Sequence, residues 1–525
     1  MNDILIKLPM IILFFGITIF IGAYCRKHST DVNGFVLGGR SVGPWLTAFA
    51  YGTSYFSAVV FVGYAGQFGW KYGIAATWTG IGNALIGSLM AWSVLGRRTR
   101  IMTQHLDSAT MPQFFERRFD SRTLKLAASA IIFIFLIPYT ASLYNGLSRL
   151  FGMAFQIDYG ICILIMAILT AFYVVLGGYM ATAINDFIQG IIMIVAMIAV
   201  VAAVLKGHGG FMEAMNKLGS VSDPAVSHTP GIFASFFGPD PVNLLGVVIL
   251  TSLGTWGLPQ MVQKFYAIKS QKAINKGTII STIFAFVVAG GCYFLGGFGR
   301  LYSDKIDVAA NGYDSIIPTM LSGLSPILIS VVVVMVLSAS MSTLSSLVLT
   351  SSSTLTLDFI KGTLVKNMRE KKQLLTMRVL IVVFIFVSVV LALVQYNSNI
   401  TFIAQLMGVS WGALAGAFLA PFLYGLYWKR TTKAAVWVSF IFSTVVMIAN
   451  ILVKPVFPPI LQSPINAGAF CMLAGLILVP IVSIFTKRLP KTFTDAVFSC
   501  YNSKITVPIT DSIGSAAEDI SEEDE

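Results

Sequence analysis

Gly254-Thr255-Trp256-Gly257-Leu258-Pro259-Gln260 interrupts an apolar stretch running from about 242 to 263. Glycine and proline break a helix there, because proline removes a backbone donor and clashes with the preceding turn. A second interruption, Ala50-Tyr51-Gly52-Thr53-Ser54-Tyr55-Phe56-Ser57, lies at mid-depth in the apolar stretch 43–73. Irregular backbone survives at membrane depth only where it is buried in protein or lines a cavity. The two breaks are five spans apart, and matched breaks in two five-helix halves mark an inverted-repeat transporter. Either break alone reads equally well as a packed kink, since glycine and proline are common in membrane helices. The matched spacing favours the transporter.

Outward from these breaks, apolar runs recur near 4–24, 43–73, 75–95, 123–149, 159–176, 181–205, 242–263, 277–299, 326–357, 379–396, 399–427, 434–453 and 466–486, thirteen in all. The chain is 56% hydrophobic and 11% charged, whereas soluble domains are about a quarter charged. This is the composition of an all-α polytopic membrane protein with 13 transmembrane helices. One transporter domain is expected over 1–490, with its core repeats over about 43–427, followed by a cytoplasmic tail, 491–525. The tail ends Glu518-Asp519-Ile520-Ser521-Glu522-Glu523-Asp524-Glu525, an acidic run expected to be disordered.

The net charge of +12 does not signal nucleic acid. With the N-terminus outside, most of the 35 Lys and Arg residues fall in segments on the opposite side, which puts the C-terminus in the cytoplasm. The charge therefore reports topology in a cell membrane, with the lipid bilayer as partner and no sign of an obligatory protein partner. Lys264, Lys269, Lys272 and Lys276 read as a cytoplasmic anchoring face. The first apolar stretch has no small-residue cleavage site and reads as a retained span. The five cysteines show neither metal spacing nor a disulfide framework. His28, His105, His208 and His228 fall in loops without paired carboxylates, so no enzyme is expected.

Two features carry possible ion chemistry. Ser338-Ala339-Ser340-Met341-Ser342-Thr343-Leu344-Ser345-Ser346 puts hydroxyls in an otherwise hydrocarbon span. At about 100° per residue, Ala339, Ser342, Thr343, Ser345 and Ser346 share one helix face. Hard cations take oxygen ligands, so a desolvated sodium ion suits this stripe. Ser and Thr also glue membrane helices together, but the density of hydroxyls favours the ion. Asp186 is the one acidic or basic residue placed well inside an expected span. It reads as a functional intramembrane carboxylate or, equally, as a helix-start carboxylate near the surface.

These residues resemble the sodium:solute symporter family. Phe35-Val36-Leu37-Gly38-Gly39-Arg40, Thr110-Met111-Pro112-Gln113-Phe114-Phe115-Glu116-Arg117-Arg118-Phe119, Asp186-Phe187-Ile188-Gln189, Ser342-Thr343-Leu344-Ser345-Ser346 and Leu426-Tyr427-Trp428-Lys429-Arg430-Thr431-Thr432 carry the resemblance in order. It implies a LeuT-like fold: a 5+5 inverted repeat with one extra N-terminal and two extra C-terminal helices. It also implies a first Na+ site built from the carbonyls of Thr53, Phe56 and Ala339 and the hydroxyls of Ser342 and Thr343. A second Na+ site, found in some members, would use Asp186 with Ser342, Ser345 and Ser346.

Tyr139 and Gly257-Leu258-Pro259-Gln260 resemble the proline and pantothenate branch more than the sugar branch. Tyr55, Val59, Thr251 and Thr255 depart from the proline pattern, which has an acid, a tryptophan and an aromatic pair there. The resemblance thus implies a sodium-coupled symporter for a small organic solute, of carboxylate-bearing type, such as proline, pantothenate or a monocarboxylate. Tyr55, Ser57, Tyr139, Thr251, Thr255, Trp256 and Pro259 are the expected solute-binding residues. The rival readings are a proton-coupled carrier using Asp186 and a transporter-like solute sensor.

Overall fold

A computed structural model describes residues 2–26, 30–155, 158–365, 367–398 and 403–502. The acidic run 518–525 lies outside the described residues. The longer helices and runs begin with α1 (Asn2–Cys25), α2 (Pro44–Tyr55), α3 (Val59–His105), α4 (Met111–Phe119) and α5 (Arg122–Phe155). Next come α6 (Tyr159–Gly207), α7 (Pro241–Gly257), α8 (Pro259–Ala267), α9 (Gln271–Gly297) and α10 (Pro326–Thr354). The last four are α11 (Glu370–Ser398), α12 (Ile403–Tyr427), α13 (Lys433–Leu452) and α14 (Pro464–Phe485). Side-chain oxygens of Asp240, Ser325 and Thr432 cap α7, α10 and α13, satisfying amides that the helices cannot.

Both interruptions read from the sequence are present. α2 stops at Tyr55, and Phe56 is extended (φ −88, ψ 119). α7 and α8 meet at Leu258 (φ −77, ψ 123) with a 45° bend between them. The helices do not map one to one onto the thirteen expected spans. Among the described residues, nine helices are long and apolar enough to cross a bilayer, or ten if the bent pair α7–α8 is one span.

The difference lies in how helices join. The expected spans 159–176 and 181–205 both fall within the 49 residues of α6, where Gly178 alone is non-helical (φ 55, ψ −148). Drawn straight, such a helix would reach about 74 Å, more than twice a hydrocarbon core of about 30 Å. Gly178 kinks it. The later half of the expected 43–73 span and all of 75–95 likewise run together as α3, a chain of α, 3₁₀ and π turns. The first expected span, 4–24, is met by α1, a helix of 24 residues.

α10 is the centre of the bundle: every residue from Val332 to Thr354 is buried, so its hydroxyl stripe faces protein only. Motifs on the side read as cytoplasmic are tied to the ends of other helices. The buried Arg118 donates Nε to the Gly425 carbonyl (2.7 Å) and Nη2 to that of Trp428 (3.0 Å). Asp358, on the π turns that prolong α10, accepts from Thr110 Oγ1 (2.6 Å) and Gln113 Nε2 (2.8 Å). Arg40 donates to the Ser108 carbonyl (2.7 Å).

At Gly178 a Cβ would lie 2.8 Å from the Phe35 ring, in a backbone region that only glycine occupies readily. Gly178→Ala should therefore cost about 1–3 kcal/mol of stability. A clearly lower melting midpoint in detergent, followed by fluorescence-detected size exclusion, is the expected result; an unchanged midpoint would contradict the kink.

Candidate functional site

The break after α2 exposes its last carbonyls. Thr53 and Phe56 belong to the terminal turn, where no residue continues the ladder. These oxygens also form the negative end of the helix dipole. α10 lies against them. Ser342 Oγ is 3.2 Å from Thr53 O and 3.0 Å from Ala339 O. Thr343 Oγ1 is 3.1 Å from Thr53 O, 3.3 Å from Phe56 O and 3.0 Å from Ala339 O.

The proton count decides what this arrangement suits. Each hydroxyl has one proton to donate. Two protons thus serve five close oxygen contacts among fully buried atoms. Most of the lone pairs at this point face other oxygens and lack positive charge. Oxygens ligating a hard cation at about 2.4 Å sit about 3.4 Å apart at right angles, close to the observed 3.0–3.3 Å. All five oxygens implied for the first Na+ site converge here.

The residues implied for the second Na+ site meet a different partner. Ser345 Oγ donates to the Ser342 carbonyl (2.9 Å). Ser346 Oγ pairs with Ser54 Oγ of α2 (2.9 Å) and accepts from Lys264 Nζ (3.1 Å). The same ammonium lies 3.9 Å from Asp186 Oδ2 and 5.1 Å from the centre of the Tyr179 ring. The side chain of Lys264 is 3% exposed and that of Asp186 0%. Lys264 is therefore no part of a cytoplasmic anchoring face, and Asp186 is not a surface helix-start residue. Nor is Asp186 alone: the α7–α8 bend carries a lysine to it. A sodium ion about 4 Å from that ammonium would be repelled by roughly 4 kcal/mol at an effective dielectric near 20. Lys264 thus stands among the residues expected to hold a second sodium ion, with the Asp186 carboxylate opposing its charge.

The expected solute residues separate into two groups. Ser57 Oγ, Tyr139 OH and Trp411 Nε1 are buried and lie against one another, and the Tyr139 ring meets Trp411 edge-on at 6.0 Å. Both polar atoms of the buried Gln260 side chain have no hydrogen-bond partner. In contrast, Thr251 bonds back to the Val247 carbonyl (2.9 Å). Thr255 Oγ1 reaches the Gly87 carbonyl (3.0 Å), which also accepts from Tyr51 OH (2.8 Å). Trp256 Nε1 donates to the Ile86 carbonyl (2.9 Å). These acceptors lie in the π turns Leu85–Met90 of α3, so Thr255 and Trp256 fasten the broken spans to that helix. Pro259 starts α8 and lines a small void with Gln263 and Thr350. The side chain of Tyr55 lies outside the described residues.

A cavity of about 1310 Å³ opens beyond the breaks, on the side read as external, lined by Gln67, Trp70, Lys71, Asn243 and Val247. Arg300 stands on its wall. Its Nη1 meets Asp223 Oδ2 at 2.6 Å and its Nε donates to the Trp70 carbonyl at 2.8 Å.

A profile of the sodium:solute symporter family matches residues 35–461, and the chain belongs to that family. The sodium/proline symporters of Staphylococcus aureus strains JH9 and NCTC 8325 are each 30% identical over 495 residues, which is 92% of this chain and 92% of each relative. A solved structure, the substrate-bound outward-open state of a Na+-coupled sialic acid symporter, superposes with a TM-score of 0.71 at 17% identity. It covers 92% of this chain and 99% of that one. The chain is thus a multi-pass membrane transporter with a LeuT-like fold, and not an enzyme.

The Arg300 hydrogen bond holds the Asp223 carboxyl below the usual carboxylate range. A lowered folded value means that the contact stabilises the loop above about pH 4 and is lost as pH falls through the folded value. Amide exchange in residues 221–227 should be flat from pH 7 to about 5 after correction for intrinsic rate, then rise below about 4. Asp223→Asn should show the raised exchange at every pH.

Proposed function

We propose that this chain is a sodium-coupled symporter that imports a small carboxylate-bearing solute by alternating access. Its frame would be two inverted five-helix repeats with one helix before them and two after. The N-terminus would lie outside the cell membrane. One observation carries the reading: five buried oxygens of α2 and α10 share two hydroxyl protons, a deficit that a monovalent hard cation fills.

Bound there, sodium would hold the stub of α2 against α10 and fix the backbone around Ser57. Solute would then bind beside the buried polar cluster of Ser57, Tyr139 and Trp411 and the unpartnered amide of Gln260. The amino end of α8 offers its positive dipole to a carboxylate without an arginine. The curated relatives named as sodium/proline symporters favour an amino-acid-like solute. Tyr55, Val59, Thr251 and Thr255 widen the candidates to pantothenate and monocarboxylates. Rocking of the bundle would expose both to the cytoplasm, driven in part by a membrane potential worth about 2.3 kcal/mol per charge per 100 mV.

Uptake into proteoliposomes, screened over proline, pantothenate and monocarboxylates, tests the reading. Contacts to a charged group are worth about 1.5–3 kcal/mol each, so Ser342→Ala with Thr343→Ala should raise the sodium needed for half-maximal uptake at least ~100-fold. Uptake that keeps its sodium dependence in this variant, or that runs on a pH gradient alone, would refute it. Tyr139→Phe, losing one neutral hydrogen bond, should raise the KM for solute about 2–10-fold with little change in maximal rate.

A further inference from the structure

We infer that Lys264 is a tethered cation that permanently fills the second ion position, so that this transporter couples one sodium ion, not two, to each solute. The inference rests on the sodium-coupled reading above and deepens it. The ammonium does what a second ion would do. It faces the one carboxylate buried in α6, takes a hydroxyl of α10 as acceptor, and through Ser346 engages Ser54 of α2. The Tyr179 ring covers its remaining side.

Charge supports the same conclusion. Asp186 and Lys264 form a neutral pair, sealed from water at 0% and 3% exposure. Admitting a sodium ion would leave a net positive charge in a low-dielectric interior, where unpaired charge is expelled or neutralised. Removing the lysine would leave the opposite fault, a lone carboxylate beside Ser345 and Ser346. That set is built from oxygens alone, as hard cations require.

The bent span explains how the lysine arrives. α8 is wholly buried from Pro259 to Ala267, and Lys264 lies on it a little over one turn past the break. Its stem therefore runs inside the protein instead of snorkelling to the surface. Functionally, solute accumulation would follow the first power of the sodium gradient. The contact between α2, α6, α8 and α10 at this point would persist through the cycle, where a dissociable ion would release it.

Equilibrium binding of ²²Na+ to the purified full-length chain tests this directly. The native protein should bind one ion per chain, and Ser342→Ala with Thr343→Ala should bind none. Lys264→Ala should bind two, because Asp186 then needs a counter-ion. If that variant does not give a monodisperse protein, Asp186→Asn combined with Lys264→Met removes the pair without unbalancing charge and should still bind one ion. Two ions in the native protein, one of them lost in Asp186→Asn, would overturn the inference and leave sodium coupling intact. A single ion in well-folded Lys264→Ala would also overturn it. No sodium binding by the native chain would sink the sodium-coupled reading itself, and this inference with it.

Discussion

A helix that stops inside a membrane must find partners for its last carbonyls, and here Ser342 and Thr343 of α10 meet those of Thr53 and Phe56. Water normally relieves such ends, and lipid does not. The hydroxyl pair supplies two protons where more are wanted, so α2 is held but incompletely satisfied. That shortfall explains several features together. It accords with the burial of α10 from Val332 to Thr354, since a solvated stripe would have no such demand. It also lets a bound cation strengthen the junction between α2 and α10, which is what coupling an ion to a conformational change requires.

Much of this was legible in the residues. Gly257 and Pro259 break α7 from α8 for reasons local to the backbone, and Ser342 and Thr343 fall on one face by helix geometry alone. Their partners Thr53 and Phe56 came from the family resemblance, because nothing local states which carbonyls a distant helix will meet. Lys264 was misread for a related reason. It follows an apolar stretch and leads a series, Lys269, Lys272 and Lys276, which has the appearance of a cytoplasmic flank. Only the 45° bend and the burial of α8 separate it from that series. A basic residue one turn beyond a membrane helix break is the signal that would have singled it out.

Gln260 and Trp411 escaped notice because a buried glutamine or indole looks ordinary until its surroundings are seen. Asp358 was hidden by the length of α10, whose π turns carry the carboxylate inside to Thr110 and Gln113. Helices and spans do not map one to one where a single glycine, Gly178, takes the place of a loop. Positive φ leaves no mark in hydropathy, so two crossings joined by a single residue read as two separate helices.

Tyr51 before the first break and Thr255 before the second bond the same oxygen, the Gly87 carbonyl. An acceptor of that kind belongs to the main chain and is present whatever residue occupies position 87. Sequence drift can erase either donor but not the acceptor. The two broken spans are thus yoked at one backbone oxygen, and a side chain at position 87 would press on the Ser252 carbonyl at 3.3 Å beside it.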